Sequence, residues 1–512
     1  MQKAVDRIQT AFEKQEHILV YGDYDVDGTT AVALLSSFLT QTYPNVDIYI
    51  PDRYKEGYGV SFAGVDYAQE HHVSLIIALD CGIKAIDKVA YAKEKGIDFI
   101  ICDHHRPGAE VPDAVAVLDP KQEDCLYPYK ELCGCGVGFK LIQALAASSG
   151  KTITDLIPYL DLVATAIGAD IVPITGENRV LAYYGMLQIN TNPRAGFRAL
   201  TPNLDKDLSM TDVIFKIAPR INAAGRMEHG SYAVRILVEN QLDKATVMAQ
   251  GIENFNSDRK DLDQEITKAA LEQLIENNEK EHWTTVVYDP TWHKGVIGIV
   301  ASRLTEVYYR PTLVFTKSGD KLAASARSVK GFDIYNALEA CSDCLEQFGG
   351  HMYAAGLTMR EEQYLPFKEK FETIVRETID QRLLTPEMKA DLSIDFNDIT
   401  PRFYRVLKQF APFGPGNSMP VFLSQNLRDT GQSRTVGKDR THLKISLAQS
   451  DGLILDGIGF SMADKLPLLR SDQAVDILYT IDENHYNGTT KLQLMVKDIK
   501  PTILNALDGG SA

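Results

Sequence analysis

"YGDYDVDGTT", residues 21–30, sets three aspartates in alternation ahead of a glycine, which is how a calcium-binding EF-hand loop opens. Counted from Asp23, the twelfth loop position, where such a loop needs a bidentate glutamate, is Leu34. The run leading in, "HILVYG" (17–22), is strand-like rather than helical. The calcium loop is therefore excluded. The stretch reads instead as the turn where a buried strand hands over to the helix "TTAVALLSSFLTQTY".

Working outward, apolar runs alternate with helical patterns: "VDIYIP" (46–51), "VSLIIALD" (73–80), "DFIICD" (98–103) and "AVAVLD" (114–119). Runs that are apolar throughout and separated by helices predict a parallel sheet covered on both faces, a doubly wound α/β domain. It is expected over 1–240, with residues 130–240 mainly helical. A long, highly charged helical linker is expected over 241–282 and a second α/β domain over 283–388, with strands near "TTVVYD", "PTLVFTK" and "KLAASARS". Short strands and turns over 389–505 predict a small β-barrel.

Composition narrows the class. With 512 residues, 45% hydrophobic and 24% charged, the chain is an ordinary multidomain globular protein. No run is long enough to span a membrane and the first residues lack a signal-peptide core, so the cytoplasm is the expected compartment. Seven cysteines, an odd number without paired spacing, read as reduced thiols rather than a disulfide framework or a zinc site. A net charge of −16 argues against a nonspecific coating of nucleic acid, but allows a local basic track or carboxylates neutralised by metal ions.

In an open α/β sheet the carboxyl ends of the strands face the ligand crevice. Asp25 and Asp27 follow the first strand, Asp80 ends another, and Asp103, His104 and His105 end a third. Asp161, inside the apolar helix "IPYLDLVATAIGAD", is a carboxylate that would be costly to bury unpaired. One such residue alone would be read as a cap or turn. Together they predict a metal centre, and carboxylates mixed with imidazole favour Mn²⁺ or Mg²⁺ over zinc. Two ions about 3.5–4 Å apart would suit water activation and in-line displacement at phosphorus.

"GDYDVDG", "ALDCG", "CDHH" and "DLVATAIGAD", in this order, resemble the four motifs of the DHH phosphoesterases. "RINAAGRM", "WHKGVIGIVASRL", "ASARS", "GGHMYAAG" and "FAPFGPGN" resemble one branch, the RecJ exonucleases, over nearly the whole chain. Two departures stand out: the family more often has a "DLVALGTVAD"-like fourth motif, and usually several tens of residues before the helix that begins here "MQKAVDRI".

The resemblance implies metal ligands at Asp25, Asp27, Asp80, His104 and Asp161, with Asp80 bridging two Mn²⁺ or Mg²⁺ ions. Asp23 and Asp103 would orient those ligands, and His105 would face the substrate phosphate as a further catalytic residue. Arg53, Ser325 and Arg327 look like a 5′-phosphate pocket, suited to arginine's bidentate fork. Gly349, Gly350 and His351 resemble a glycine-rich phosphate-approach motif of a DHH-associated domain, and Arg220 and Asn222 would help hold backbone.

The third domain would be an OB-fold, with Arg434, Lys438, Arg440 and Lys444 as its basic cluster. The implied activity is 5′→3′ exonucleolytic release of mononucleotides from single-stranded DNA in recombination and repair. A monomer is expected, with single-strand-binding protein and a RecQ-type helicase as partners. Two rivals are a phosphodiesterase for very short or cyclic oligonucleotides or pyrophosphate, which would not need the third domain, and a catalytically dead scaffold, which need not keep the ligands.

Overall fold

The computed structural model describes residues 1–202, 207–449, 452–471, 473–486 and 489–502. These form two compact units, Met1–Pro386 and Glu387–Ala512. Residues 503–505 of the expected third domain lie outside the described residues.

The first unit opens with β1 (His17–Gly22), β2 (Val46–Tyr49), β3 (Val73–Leu79), β4 (Asp98–Cys102) and β5 (Ala116–Leu118), all parallel, in the order β2-β1-β3-β4-β5. Ile18, Val20, Ile77 and Ile100 enter one hydrophobic core and Leu19, Tyr21, Ile76 and Ile101 another, so successive residues face opposite sides of the sheet. Two buried faces explain why these strands are apolar throughout. The strand order reverses between β1 and β3, and in such sheets ligands bind beyond the carboxyl ends at that point.

The second half of the unit is a mixed sheet of β6 (Thr285–Tyr288), β7 (Thr312–Ser318), β8 (Lys321–Arg327), β9 (Gln347–His351) and β10 (Ala354–Met359), ordered β6-β7-β8-β10-β9. The 35-residue helix Leu242–Glu276 joins the halves. It is more than a spacer, because Ala245, Ala249 and Ile252 enter the core of the first half while Ile266, Ala270 and Leu274 pack with Val300 and Leu304 of the second. Its buried Asp263 pairs with Arg303 at 2.7 Å.

The second unit holds β11 (Leu392–Ser393), β12 (Phe422–Asp429), β13 (Arg434–Val436), β14 (His442–Ala448), β15 (Ile454–Gly459), β16 (Val475–Tyr486) and β17 (Thr489–Pro501). Pairings run β12-β16-β17-β15-β14 and return from β14 to β12 through Arg428 with Ala448 and Asp429 with Leu447. The circuit of five strands, with β15 parallel to β17, has OB-type order.

Helix packing beside the sheet positions part of the site. Leu160–Ala169, which carries the fourth motif, lies against Gly176–Thr191, and a Cβ on Gly185 would collide with the Leu160 carbonyl oxygen and the Ala164 methyl. Gly185→Ala gains about 1 kcal/mol of helix propensity. It loses about 1–3 kcal/mol to overpacking, at the larger end because a backbone oxygen cannot rotate away. The variant should melt below the parent in a thermal scan, and an equal or higher Tm would show that the two helices are not in this contact.

Candidate active site

The three aspartates of the opening motif diverge because the chain turns from strand to helix between them. Asp25 caps Val26–Leu39, accepting the Gly28 N–H at 3.0 Å. Asp23 accepts the Gly59 N–H at 3.2 Å, and its other oxygen has no partner. Asp27, in the first helical turn, points at a second helix end: Gly134 and Cys135, at the start of Gly134–Ser148, each donate a backbone N–H to it at 2.7 Å. A helix N-terminus is a natural seat for a carboxylate. "CGCG" therefore has a role that its cysteines do not suggest.

Asp80 leaves β3 with φ +59° in the left-handed region. A Cβ on Gly134 would stand 2.5 Å from its Cβ and Oδ1, so only glycine allows helix and carboxylate to approach this closely. His104 Nε2 lies 3.2 Å from Asp80 Oδ1, 3.6 Å from Asp170 Oδ2 and 3.7 Å from Asp27 Oδ2. Nε2 of His104 and Oδ1 of Asp80 are buried without hydrogen-bond partners. Asp27, His104 and Asp170 form one potential metal-binding group, and Asp80, His104 and His105 a second, with each group's ligand atoms within 4.8 Å of one another.

The electrostatics fit a cation. Burial, then repulsion from neighbouring aspartates including Asp25, raises Asp27, Asp80 and Asp170 above the usual carboxylate range. Burial, then the charge of His105, lowers His104 and keeps it a neutral ligand. Unused lone pairs, crowded carboxylates and a neutral imidazole are what a hard divalent ion requires. Asp103 behaves differently. Burial pushes it up, but it accepts the His104 N–H at 2.7 Å and the His105 Nδ1–H at 2.7 Å, and His105 holds it low. It thus orients both histidines, and His105 stays partly exposed with Nε2 against the Tyr58 hydroxyl at 2.9 Å.

Asp161 is not brought to this cluster. Both its oxygens are taken by Arg194, at 2.7 and 2.8 Å. Asp161 and Asp170 are nine residues apart, about 180° around a helix of 3.6 residues per turn, so they cannot face one centre. Asp170, at the far end of the motif, is the one that enters it.

A second feature lies where the two halves of this unit meet. Arg327 donates to Ser325 Oγ at 3.1 Å and Ser302 Oγ at 3.2 Å, facing the glycine surface of Gly298. Arg53 lies over the Tyr24 ring at 4.1 Å with its Nε buried and unpartnered. Arg226, which donates to the Gly295 carbonyl at 2.8 Å, is pushed down to about 10 by burial and then by Arg53, Arg259 and Arg327. Several guanidiniums close enough to repel each other describe an anion site. Sequence reasoning missed Arg226, although it lies within the quoted "RINAAGRM". Arg220, expected to help hold backbone near the site, is bound to Glu253 at 2.5 Å and to the Lys216 carbonyl. The two arginines are six residues apart on one helix, about 240° of rotation. Asn222, on the same helix, is half-buried. Gly349, Gly350 and His351 form exposed edge strand β9, where His351 and Arg327 both pair with Ala354 of β10.

Family models match in chain order: the DHH family N-terminal domain over 17–167, the DHHA1 domain over 280–383 and the RecJ OB domain over 390–498. The chain is 34% identical over 525 residues to the single-stranded-DNA-specific exonuclease RecJ of Escherichia coli K12, covering 98% of this chain and 90% of that relative. This chain belongs to the RecJ family.

To the RecJ of Bacillus subtilis strain 168 it is 36% identical over 505 residues, and it spans 63% of that relative's length. A crystal structure of RecJ from Thermus thermophilus in complex with Mn²⁺ matches with a TM-score of 0.85 at 28% identity, covering 100% of this chain and 72% of that one. The Mg²⁺ complex from the same organism matches at 0.77.

Within this RecJ fold the two aspartates of the fourth motif do different work, and substitution separates them. Asp161→Asn breaks a buried ion pair and should cost about 3–5 kcal/mol of stability. Asp170→Asn removes one of several repelling charges and should leave Tm unchanged or raised while abolishing metal-dependent activity. If Asp161→Asn melts like the parent and loses activity, the assignment is reversed.

Proposed function

We propose that this RecJ chain is a single-strand-specific 5′→3′ DNA exonuclease that releases mononucleotides by hydrolysis with two Mn²⁺ or Mg²⁺ ions. The observation that carries the reading is the set of buried Asp27, Asp80 and His104 with half-buried Asp170, their ligand atoms converging and lone pairs unpartnered on Asp80 and His104. Asp25 joins from the helix cap, and Asp80, whose unpartnered Oδ1 lies 3.2 Å from His104 Nε2, is the bridging candidate. Ions held by these residues would supply water activation and charge stabilisation for an in-line displacement at phosphorus.

The chain's own groups do the rest. The Gly134 and Cys135 N–H groups hold Asp27, and Asp103 fixes the ring of His105, whose exposed face is turned to the substrate phosphate. Arg53, Arg226, Ser325 and Arg327 bind the 5′-terminal phosphate, and Gly349, Gly350 and His351 offer an exposed backbone edge two strands away. Among the described residues Arg327 makes no ion pair and bonds only to neutral groups, Ser302, Ser325 and the Ala326 carbonyl, so its charge is available to the ligand. The second unit adds a surface for single strands: Arg434 pairs across the strands with Lys444, and exposed Phe460 stands edge-on to His442.

Among the described residues no helix is long and apolar enough to cross a membrane. A cytoplasmic monomer working with single-strand-binding protein and a RecQ-type helicase in recombination and repair completes the proposal, on the strength of the family membership.

End-labelled digestion with and without Mn²⁺ tests it. A long 5′-phosphorylated single strand should yield mononucleotides from its 5′ end only with metal, and Asp80→Ala should abolish the reaction. Preference for a dinucleotide over the long strand, or near-parent activity of Asp80→Ala, would contradict the reading. Arg327→Ala should lose the preference for a 5′ phosphate, and equal losses on 5′-hydroxyl DNA would remove Arg327 from the pocket.

A further inference from the structure

The middle residue of the opening motif's first half, Tyr24, has no part in the metal centre. It lies between Asp23 and Asp25, and its side chain goes elsewhere. The Arg53 guanidinium sits over its ring, Cζ 4.1 Å from the centroid. The Tyr58 ring meets Tyr24 edge-on at 6.4 Å and 82°. From Tyr58 the contacts continue to His105 at 2.9 Å and on to Asp103 at 2.7 Å. The Tyr24 backbone rests on two glycines: a Cβ on Gly225 would lie 2.6 Å from its carbonyl oxygen, and one on Gly230 would lie 3.2 Å from its Cα. The ring therefore stands on a fixed base.

How Arg53 is held matters for what it can bind. Among the described residues Arg53 makes no ion pair; the guanidinium also meets the Tyr24 hydroxyl, and its Nε is buried without a hydrogen-bond partner. A carboxylate would occupy the guanidinium's donors and cancel its charge. An aromatic face holds the cation through the ring quadrupole and leaves the in-plane N–H groups free. We propose that Tyr24 is a positioning residue for recognition of the DNA end: its ring presents Arg53, with the Nε–H unspent, to the terminal phosphate. The proposal rests on the reading of Arg53 as a 5′-phosphate ligand given above. It also ties end binding to the metal centre, because Tyr24 shares one short segment with Asp25 and Asp27. The distance from the held end to the hydrolysed bond is then set locally, as release of single nucleotides requires.

The test compares Tyr24→Leu, Tyr24→Phe and Arg53→Ala on matched 5′-phosphate and 5′-hydroxyl single strands in Mn²⁺. Tyr24→Leu should raise KM on the 5′-phosphate strand by about ten-fold, the scale of a desolvated cation–π contact. Its kcat, and both constants on the 5′-hydroxyl strand, should stay near those of the parent. Tyr24→Phe keeps the ring face and should restore KM to within about two-fold. Equal losses of Tyr24→Leu on both strands, or failure of Tyr24→Phe to restore KM, would overturn the proposal. If Arg53→Ala discriminates like the parent, the Arg53 reading and the proposal fall together. If Arg53→Ala loses discrimination while Tyr24→Leu keeps it, only the role of Tyr24 is refuted.

Discussion

The structure around the site depends on one constraint: several carboxylates crowd within a few ångströms of a neutral imidazole, and among the described residues no Lys or Arg pairs with them. Asp27, Asp80 and Asp170 surround His104 Nε2 at 3.2–3.7 Å. Buried like charges are costly, so the arrangement persists only where the scaffold enforces it or a cation relieves it. The scaffold's part is visible in the Gly134 and Cys135 N–H groups on Asp27, the left-handed turn at Asp80 and the Asp103 carboxylate beneath both histidines. Each is a backbone or orienting contact that leaves lone pairs facing the centre.

The parallel sheet explains why these groups meet. With strand order β2-β1-β3-β4-β5, the reversal between β1 and β3 opens a crevice beyond their carboxyl ends. Asp27 enters from the helix after β1, Asp80 from the end of β3 and His104 from the end of β4. The second half of the same unit brings Ser325 and Arg327 from β8 to the arginines at 53 and 226. The candidate metal ligands thus all come from the first half of this compact unit, while the arginine cluster draws on both halves.

Much of this was legible in the sequence because strand ends are. Apolar runs mark the strands, and the polar residues that stop several of them are the ones brought to the crevice. Helices were less readable. Asp161 and Asp170 both flank an apolar stretch, and choosing between them needs Arg194, which pairs with Asp161 from a separate helix. Arg220 and Arg226 present the same difficulty, decided by Glu253 on the long helix. Gly134 was unreadable for another reason: its value lies in the missing side chain beside Asp80, which only tertiary packing reveals.

Calorimetric titration of Mn²⁺ into the metal-free protein tests the central claim most directly, because it reads the site without DNA or turnover. The account predicts saturable binding that is lost in Asp80→Asn and weakened at least ten-fold in Asp27→Asn and His104→Ala, each variant keeping a cooperative thermal transition. Parent-like Mn²⁺ binding by a folded Asp80→Asn protein would contradict it.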